Sequence, residues 1–184
     1  MKVIGDRISI FKKDNLLSIV ILPTVDKKKL MILFLWLFAW TVCGLIVLIS
    51  YFKMYDKDTR VFMLIYLSFW AYFEFKIARA FIWKKKGKEK IWIKDGVINY
   101  QRELNKKSKI REYNISLLDD FKIIDLNNTS FADTINQSFW IKGGERLEFI
   151  SQGKSTPFAM QITDAEAKAL YNEISKFILE KKEK

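Results

Sequence analysis

The feature that most constrains this fold is one uninterrupted apolar run, LMILFLWLFAWTVCGLIVLISYF, at residues 30–52. Its 23 residues include no charge and no proline. At about 1.5 Å per residue, a helix of this length crosses a hydrocarbon core of about 30 Å. A signal peptide would have a shorter apolar region ending at a small-residue cleavage site, and the sequence shows no such site. The run therefore predicts a retained transmembrane helix over residues 30–53.

A second apolar stretch, VFMLIYLSFWAYF at residues 61–73, is too short to cross a membrane alone. The predicted second span therefore continues to residue 83, and residues 54–60 form a short, nearly neutral loop. Basic residues flank the outer ends of both spans, so the positive-inside rule puts both termini in the cytoplasm and the loop outside. The richness in lysine, isoleucine and asparagine favours a bacterial source, and hence the bacterial cytoplasmic membrane. The flanking residues are Lys2, Arg7, Lys12, Lys13, Lys27, Lys28 and Lys29 before the spans, and Lys84, Lys85, Lys86, Lys88 and Lys90 after them.

Three charged residues, Glu74, Lys76 and Arg79, fall in the last third of the second span, which this topology puts near the headgroups. Lys76 and Arg79 are long enough to extend their charges to the interface. The Glu74 carboxylate needs a partner or a wet neighbour. It either pairs loosely with basic residues of this chain or faces another membrane subunit. These three residues are the candidate intramembrane contacts.

The residue types present exclude most catalytic chemistry. The 184 residues include no histidine, which removes Ser-His and Cys-His nucleophiles, imidazole metal ligands and the usual proton shuttle. The one cysteine, Cys43, lies within the first span, so no intramolecular disulfide can form. An enzyme would need Asp119, Asp120 and Asp125 to gather around a metal, but two adjacent aspartates are more typical of a turn. The sequence predicts no enzymatic activity, no cofactor and no metal site.

Residues 84–184 change to short β-rich runs that end in one helix. Thr163 and Glu166 have the spacing of a capping box, and an apolar stripe follows, which predicts a C-terminal helix over 164–181. The Asp95-Gly96 pair between alternating runs is a strong hairpin signal. Seven antiparallel strands in consecutive hairpins are predicted: EKIWI, VINYQREL, SKIREYN, FKIIDL, FWIK, RLEFIS and FAMQI. The stripe is Ala167, Leu170, Tyr171, Ile174, Phe177 and Ile178.

Three stretches carry a resemblance: GKEKIWIKDGVINYQREL after the helical hairpin, then REYNISLLDDFKI, then TPFAMQITDAEAKALYNEI. The chain resembles the bacterial PH-like membrane proteins, in which a two-span hairpin precedes a cytoplasmic PH-like domain, mostly of unknown function. The resemblance covers most of residues 30–180. It implies an α+β membrane protein with a two-helix transmembrane hairpin and a PH-like seven-stranded antiparallel sheet or barrel, capped by one C-terminal helix. The insertion DLNNTSFADTINQS at 125–138 and the charges in the second span depart from the family's simplest pattern.

The N-terminal segment, residues 1–29, has a β-hairpin pattern of its own. ISIF and LLSIVIL flank the polar turn KKDN, and Pro23 ends the second strand. A two-stranded hairpin is marginally stable alone in water. We therefore expect it to dock on the later sheet.

A basic cluster, NKKSKIR, follows the second strand of the predicted domain and contains Lys106, Lys107, Lys109 and Arg111. Basic residues near a membrane attract anionic headgroups with about 1 kcal/mol per charge. The alternative is a solvated turn in a generally basic chain. Nucleic acid is a poorer partner for the net charge of +11, because much of the excess lies beside the predicted spans.

The sequence supports two hypotheses for function. The first is an accessory or scaffolding subunit of a larger membrane complex, or a self-associating one, whose PH-like domain makes cytoplasmic protein contacts. The 125–138 insertion is either a partner-binding loop or disorder without function. The second hypothesis is an anionic-lipid-sensing module anchored in the membrane.

Overall fold

The computed structural model of the chain describes residues 1–23, 26–104, 108–124 and 144–182. Within them the fold is α+β, with two long apolar helices, a six-stranded and a three-stranded antiparallel sheet, and a C-terminal helix. The helices are α1 Lys27–Lys53, α2 Lys57–Lys86 and α3 Asp164–Lys182. The strands are β1 Lys2–Ile4, β2 Ile8–Lys13, β3 Leu16–Ile21, β4 Gly87–Lys94, β5 Val97–Leu104, β6 Ile110–Asn114, β7 Leu118–Ile123, β8 Glu145–Ser151 and β9 Lys154–Met160.

Helices α1 and α2 form an antiparallel hairpin. Each begins at an aspartate that caps it: the Asp26 carboxylate accepts from the Lys29 backbone N–H at 3.0 Å, and Asp56 accepts from Thr59 at 2.8 Å. Both helices are long and apolar enough to cross a membrane, and only 11% of the most apolar stretch of each is buried. The prediction of two long apolar helices is confirmed, with α2 longer at both ends than the predicted 61–83.

The six-stranded sheet has the order β1-β2-β3-β4-β5-β6, so it joins the two ends of the helical hairpin. Strand β3 precedes α1 and β4 follows α2, yet they pair antiparallel, with Ile19 opposite Ile91. Asp95 and Gly96 both adopt positive φ, of 49° and 78°, as a two-residue hairpin turn requires. Strand β1 was not predicted from the sequence, since its three residues are too few to show a pattern.

Strands β7, β8 and β9 form the second sheet. A 3-10 turn at Ile115–Leu117, capped by the Asn114 side chain, separates it from β6. The predicted single series of hairpins is therefore wrong, because the chain leaves one sheet at this turn and starts another. The predicted strand FWIK at 139–142 and the 125–138 insertion lie outside the described residues.

One apolar core lies between the two sheets and α3. The Phe149 ring stacks on Phe158 with centroids 4.5 Å apart and on Phe121 at 4.9 Å. The predicted capping box of α3 is present, because the Thr163 N–H donates to the Glu166 carboxylate at 2.8 Å and the Glu166 N–H donates to Thr163 Oγ1 at 3.2 Å. The predicted stripe of α3 lies in or against this core.

Candidate functional site

Charged side chains of the large sheet bond to the free backbone edge of β9. The Arg102 guanidinium donates to the Pro157 carbonyl at 2.9 Å, and the Ala159 N–H donates to Glu89 Oε2 at 2.7 Å. Ala159 has a φ of 60°, in the left-handed region that non-glycine residues seldom adopt. These side chains take the place of a neighbouring strand, which would otherwise satisfy the edge.

The same side chains form a buried charge cluster. Glu89 lies directly opposite Arg102 in the β4–β5 ladder and is only 2% exposed. Arg102 Nε lies 3.6 Å from Glu89 Oε1, and Arg102 Nη2 donates to Glu145 at 2.9 Å. Burial raises the pKa of the Glu89 carboxyl, against the opposing effect of the Arg102 charge. Arg102 and Glu89 belong to the six-stranded sheet and Glu145 belongs to β8 of the second sheet. Because both carboxylates contact Arg102, the cluster links the two sheets.

A second polar cluster joins α2 to the sheets. Gly87 begins β4 directly after Lys86, so no linker separates the helix from the strand. In the last turn of α2, the Lys84 ammonium is only 5% exposed and donates to Gln161 Oε1 at 2.5 Å. Trp83 covers Gly87 so closely that a Cβ there would overlap its ring.

Arg7 closes this junction from the N-terminal side. Its guanidinium donates to the backbone carbonyls of Gln161 at 2.7 Å, Met160 at 3.1 Å and Leu22 at 2.9 Å. Leu22 leads into α1 and Gln161 follows β9, so Arg7 ties the α1 side of the hairpin to the end of the second sheet. The bond from Lys84 to Gln161 ties the α2 side to the same point. We call Arg7, Lys84 and Gln161 the junction cluster.

Glu74 has a different partner from the one expected. The Thr41 hydroxyl of α1 donates to Glu74 Oε1 at 2.7 Å, and neither Lys76 nor Arg79 forms an ion pair with this carboxylate among the described residues. Thr41 is the midpoint of the charge-free run 30–52, so Glu74 lies beside the middle of α1 rather than near one end. Of the two alternatives for Glu74, pairing with basic residues of this chain is not found among the described residues, because its side chain turns inward to Thr41 of α1. Lys76 and Arg79 are exposed on the outside of α2.

The contact between the two helices centres on Gly44 of α1 and Trp70 of α2. The Trp70 indole packs on Gly44, one of the two buried residues of α1, and its N–H donates to the Trp40 carbonyl at 3.1 Å. A glycine within a membrane-length apolar helix lets a neighbouring helix approach closely. A large ring, rather than a second small residue, occupies the space above it.

The predicted basic cluster divides into two parts. Leu104 pairs with Gly87, so the chain leaves β5 beside the end of α2. Lys106 and Lys107 lie outside the described residues. Lys109 and Arg111 are exposed and line a groove along the outer side of β6.

Comparison of the chain with protein-family models, with curated proteins and with solved structures finds no match. The groups that the structure brings together are therefore the basis for a functional assignment. In the described residues, no group of three or more cysteine, aspartate or glutamate side chains is placed to hold a metal ion.

Proposed function

We propose that this chain is a non-enzymatic integral membrane protein of the bacterial cytoplasmic membrane, and an accessory or scaffolding subunit of a larger membrane complex. Helices α1 and α2 cross the membrane with both termini in the cytoplasm. Strands β4 to β9 with α3 form a PH-like domain, which makes protein contacts on the cytoplasmic side. The N-terminal hairpin extends the first sheet of that domain.

The topology is supported by one pairing. Strands β3 and β4 lie on either side of the helical hairpin and pair over six residues, from Leu16 opposite Lys94 to Ile21 opposite Glu89. Two strands can pair only when they lie on the same side of a membrane. The chain therefore crosses an even number of times, which agrees with both helices spanning.

The single observation that carries the scaffolding role is the rigid connection between hairpin and domain. No residue separates α2 from β4, and the junction cluster buries the Lys84 ammonium against Gln161. A module that only recruits ligands to the membrane works on a flexible tether. A fixed orientation is what a subunit needs to hold a cytoplasmic partner in register with a membrane partner.

The outer face of the helical hairpin carries the residues that we assign to contact with a membrane protein partner. Lys76 and Arg79 project from α2 among exposed aromatic residues, while Glu74 is bonded to Thr41 inside the hairpin. Charged groups at membrane depth are costly in lipid and usually pair with protein groups. We assign the contact with a membrane partner to Lys76 and Arg79 and a hairpin-internal role to Glu74.

Co-purification tests this proposal. The tagged chain is extracted from its native membrane with a gentle detergent and analysed by size and mass spectrometry. We expect stoichiometric recovery with one membrane assembly. The K76Q/R79Q double variant is expected to recover several-fold less partner, because it loses both outward charges. The matched control Glu74→Gln, whose amide oxygen still accepts from Thr41, is expected to recover as much as the unaltered chain. Recovery of the unaltered chain alone would contradict the proposal.

Anionic-lipid sensing is the second candidate function, and the pairing of Leu104 with Gly87 favours it. This pairing makes the chain leave β5 beside the three lysines that end α2, just before Lys106 and Lys107. Basic residues beside a membrane attract anionic headgroups, and the lysines that end α2 lie beside the end of β5.

Lipid retention tests this second candidate. The purified full chain is equilibrated in mixed micelles of phosphatidylethanolamine and phosphatidylglycerol, and the retained lipids are quantified. If the basic turn binds lipid, phosphatidylglycerol is enriched, and K106Q/K107Q lowers its affinity by about fivefold per lysine. K168Q/K176Q, which removes two exposed lysines of α3, serves as the control. Equal retention of both lipids would contradict the lipid role.

A further inference from the structure

Strand β6 has an outer edge that no other strand of the described residues covers. It is the last strand of the six-stranded sheet and pairs with β5 alone. At the opposite end of this sheet, Lys2 of β1 is ion-paired with Glu173 of α3. The free edge of β9 is bonded by Arg102 and Glu89. The outer edge of β6 instead borders an open groove of about 410 Å³, which we call the β6 groove.

The β6 groove is positively charged. Its lining residues are Lys109, Ile110, Arg111, Glu112, Tyr113 and Lys154. None of its three cations forms an ion pair within the part of the chain that the structure describes. On the neighbouring strands, by contrast, Lys88 and Lys90 both pair with Glu103, at 3.1 and 2.5 Å. The groove therefore combines a backbone edge that no strand of the described residues pairs with and three cations that form no ion pair with a described carboxylate.

We propose that the β6 groove binds an extended acidic segment of a partner protein, which pairs with β6 as an additional strand. This inference rests on the proposed function and names the chemistry of the cytoplasmic partner. Main-chain hydrogen bonds to the edge of β6 would supply affinity, and carboxylates facing Lys109, Arg111 and Lys154 would supply selectivity. The five residues of β6 offer about 17 Å of edge.

The positions of Arg111 and Lys154 favour a peptide over a lipid headgroup. Arg111 pairs with Tyr100, which pairs with Ile91, four residues beyond the Gly87 that follows α2. This register puts Arg111 about 13 Å along the strands from the end of the helix. Lys154 begins β9, and only the far end of that strand, at Met160, reaches the junction cluster. Arg111 and Lys154 thus lie along the domain and away from the helix ends, while Lys109, which precedes Ile110 opposite Gln101, lies nearer to the end of α2.

The charges on β6 also bear on which strands can pair with it. Charged side chains on edge strands oppose pairing with the edge of another copy. A basic edge discourages neutral and basic strands and leaves acidic ones as the compatible occupants. The same residues therefore protect the edge and select its partner.

Peptide binding by the full chain tests the inference. The purified protein is held in nanodiscs of zwitterionic lipid, and the probe is a fluorescent ten-residue peptide of alternating glutamate and threonine. We expect this peptide to bind and the glutamine-threonine peptide not to bind. K109E/R111E is expected to weaken binding by about tenfold or more, whereas K168E/K176E on α3 leaves it unchanged. A third peptide carries N-methyl groups on alternate backbone amides, which removes the donors along one edge, and we expect it to bind about tenfold more weakly.

Three contrary results would each overturn the inference. Equal binding of the N-methylated peptide would show attraction of charge without strand pairing. No binding of the acidic peptide, with phosphatidylglycerol retention that depends on Lys109 and Arg111, would make the groove a lipid site. Co-purification of a partner that K109E/R111E does not weaken would overturn the groove assignment and leave the proposed function standing. Conversely, a chain that co-purifies with nothing but binds the peptide through its backbone would lose the proposed function and keep the groove.

Discussion

Replacing Glu89 with alanine is expected to lower the free energy of unfolding by about 3 kcal/mol, the low end of the range for breaking a buried ion pair. The substitution leaves the Ala159 N–H without its acceptor and removes one of the two carboxylates beside the Arg102 guanidinium. Since Arg102 keeps Glu145, the loss is smaller than for an isolated buried charge. Thermal and denaturant unfolding of the full chain in detergent, followed by circular dichroism, measures the effect.

One further variant separates the effect of charge from that of hydrogen bonding at this position. Glu89→Gln keeps an oxygen for the Ala159 N–H, so it should lose less stability than Glu89→Ala. Burial raises the pKa of Glu89 above its ordinary value of 4.5 in the folded state, so the folded protein holds this proton more tightly than the unfolded chain. The stability this gives is full below pH 4.5 and is lost as the pH rises through the raised pKa. Glu89→Gln should therefore improve relative to the unaltered chain over that range.

The control for the Glu89 series is Glu112→Ala, which removes an exposed carboxylate from β6. It should change the free energy of unfolding by no more than about 0.5 kcal/mol. If Glu89→Ala cost no more than this control, the edge of β9 would not depend on the buried carboxylate.

Replacing Gly44 with leucine is expected to destabilise the helical hairpin by about 3 kcal/mol or more. A side chain at this position would overlap the Trp70 indole, so the helices would have to separate or the indole would have to leave its place. The hydrogen bond from Trp70 to the Trp40 carbonyl would be lost in either case. Tryptophan fluorescence and helix melting in detergent report both changes.

A double-mutant cycle tests whether Trp70 is the cause. Gly44→Ala should destabilise the unaltered chain but have a much smaller effect in a Trp70→Ala background, where the space above residue 44 is empty. Cys43→Leu, at the adjacent exposed position, is the matched control and should leave the melting temperature unchanged. Additive effects of the Gly44 and Trp70 substitutions would show that the packing does not depend on this contact.

Local patterns predicted most of the elements. The apolar runs predicted two long helices, the Asp95-Gly96 pair predicted the β4–β5 turn, and Thr163 with Glu166 predicted the start of α3. The division into two sheets was not predicted. The residue pattern of a strand of three to eight residues indicates that it is a strand, but it does not specify which other strand it pairs with. Tertiary packing alone determines that β6 is the last strand of the first sheet and that β7 belongs to the second.

The buried charge cluster was missed although its signal was present. A two-residue turn at Asp95-Gly96 fixes the register of the hairpin and puts Glu89 opposite Arg102. Glu89 also alternates with Ile91 and Ile93, so it shares their buried face. Following that alternation would have identified a carboxylate and a guanidinium facing each other in the core. The contacts of Arg7 had no such signal, because they depend on residues about 150 positions away in the chain.

The pairing of β3 with β4 has a consequence for biosynthesis. Ile21 leaves the ribosome 68 residues before its partner Glu89, which is a wait of about 3 to 14 s at a synthesis rate of about 5 to 20 residues per second. During that time the edge of β3 that later pairs with β4 is uncovered. In the proposed topology, a chain that inserts only one helix has the two strands on opposite sides of the membrane, so its first sheet cannot close. Closure of this sheet in that topology therefore requires complete insertion of the helical hairpin.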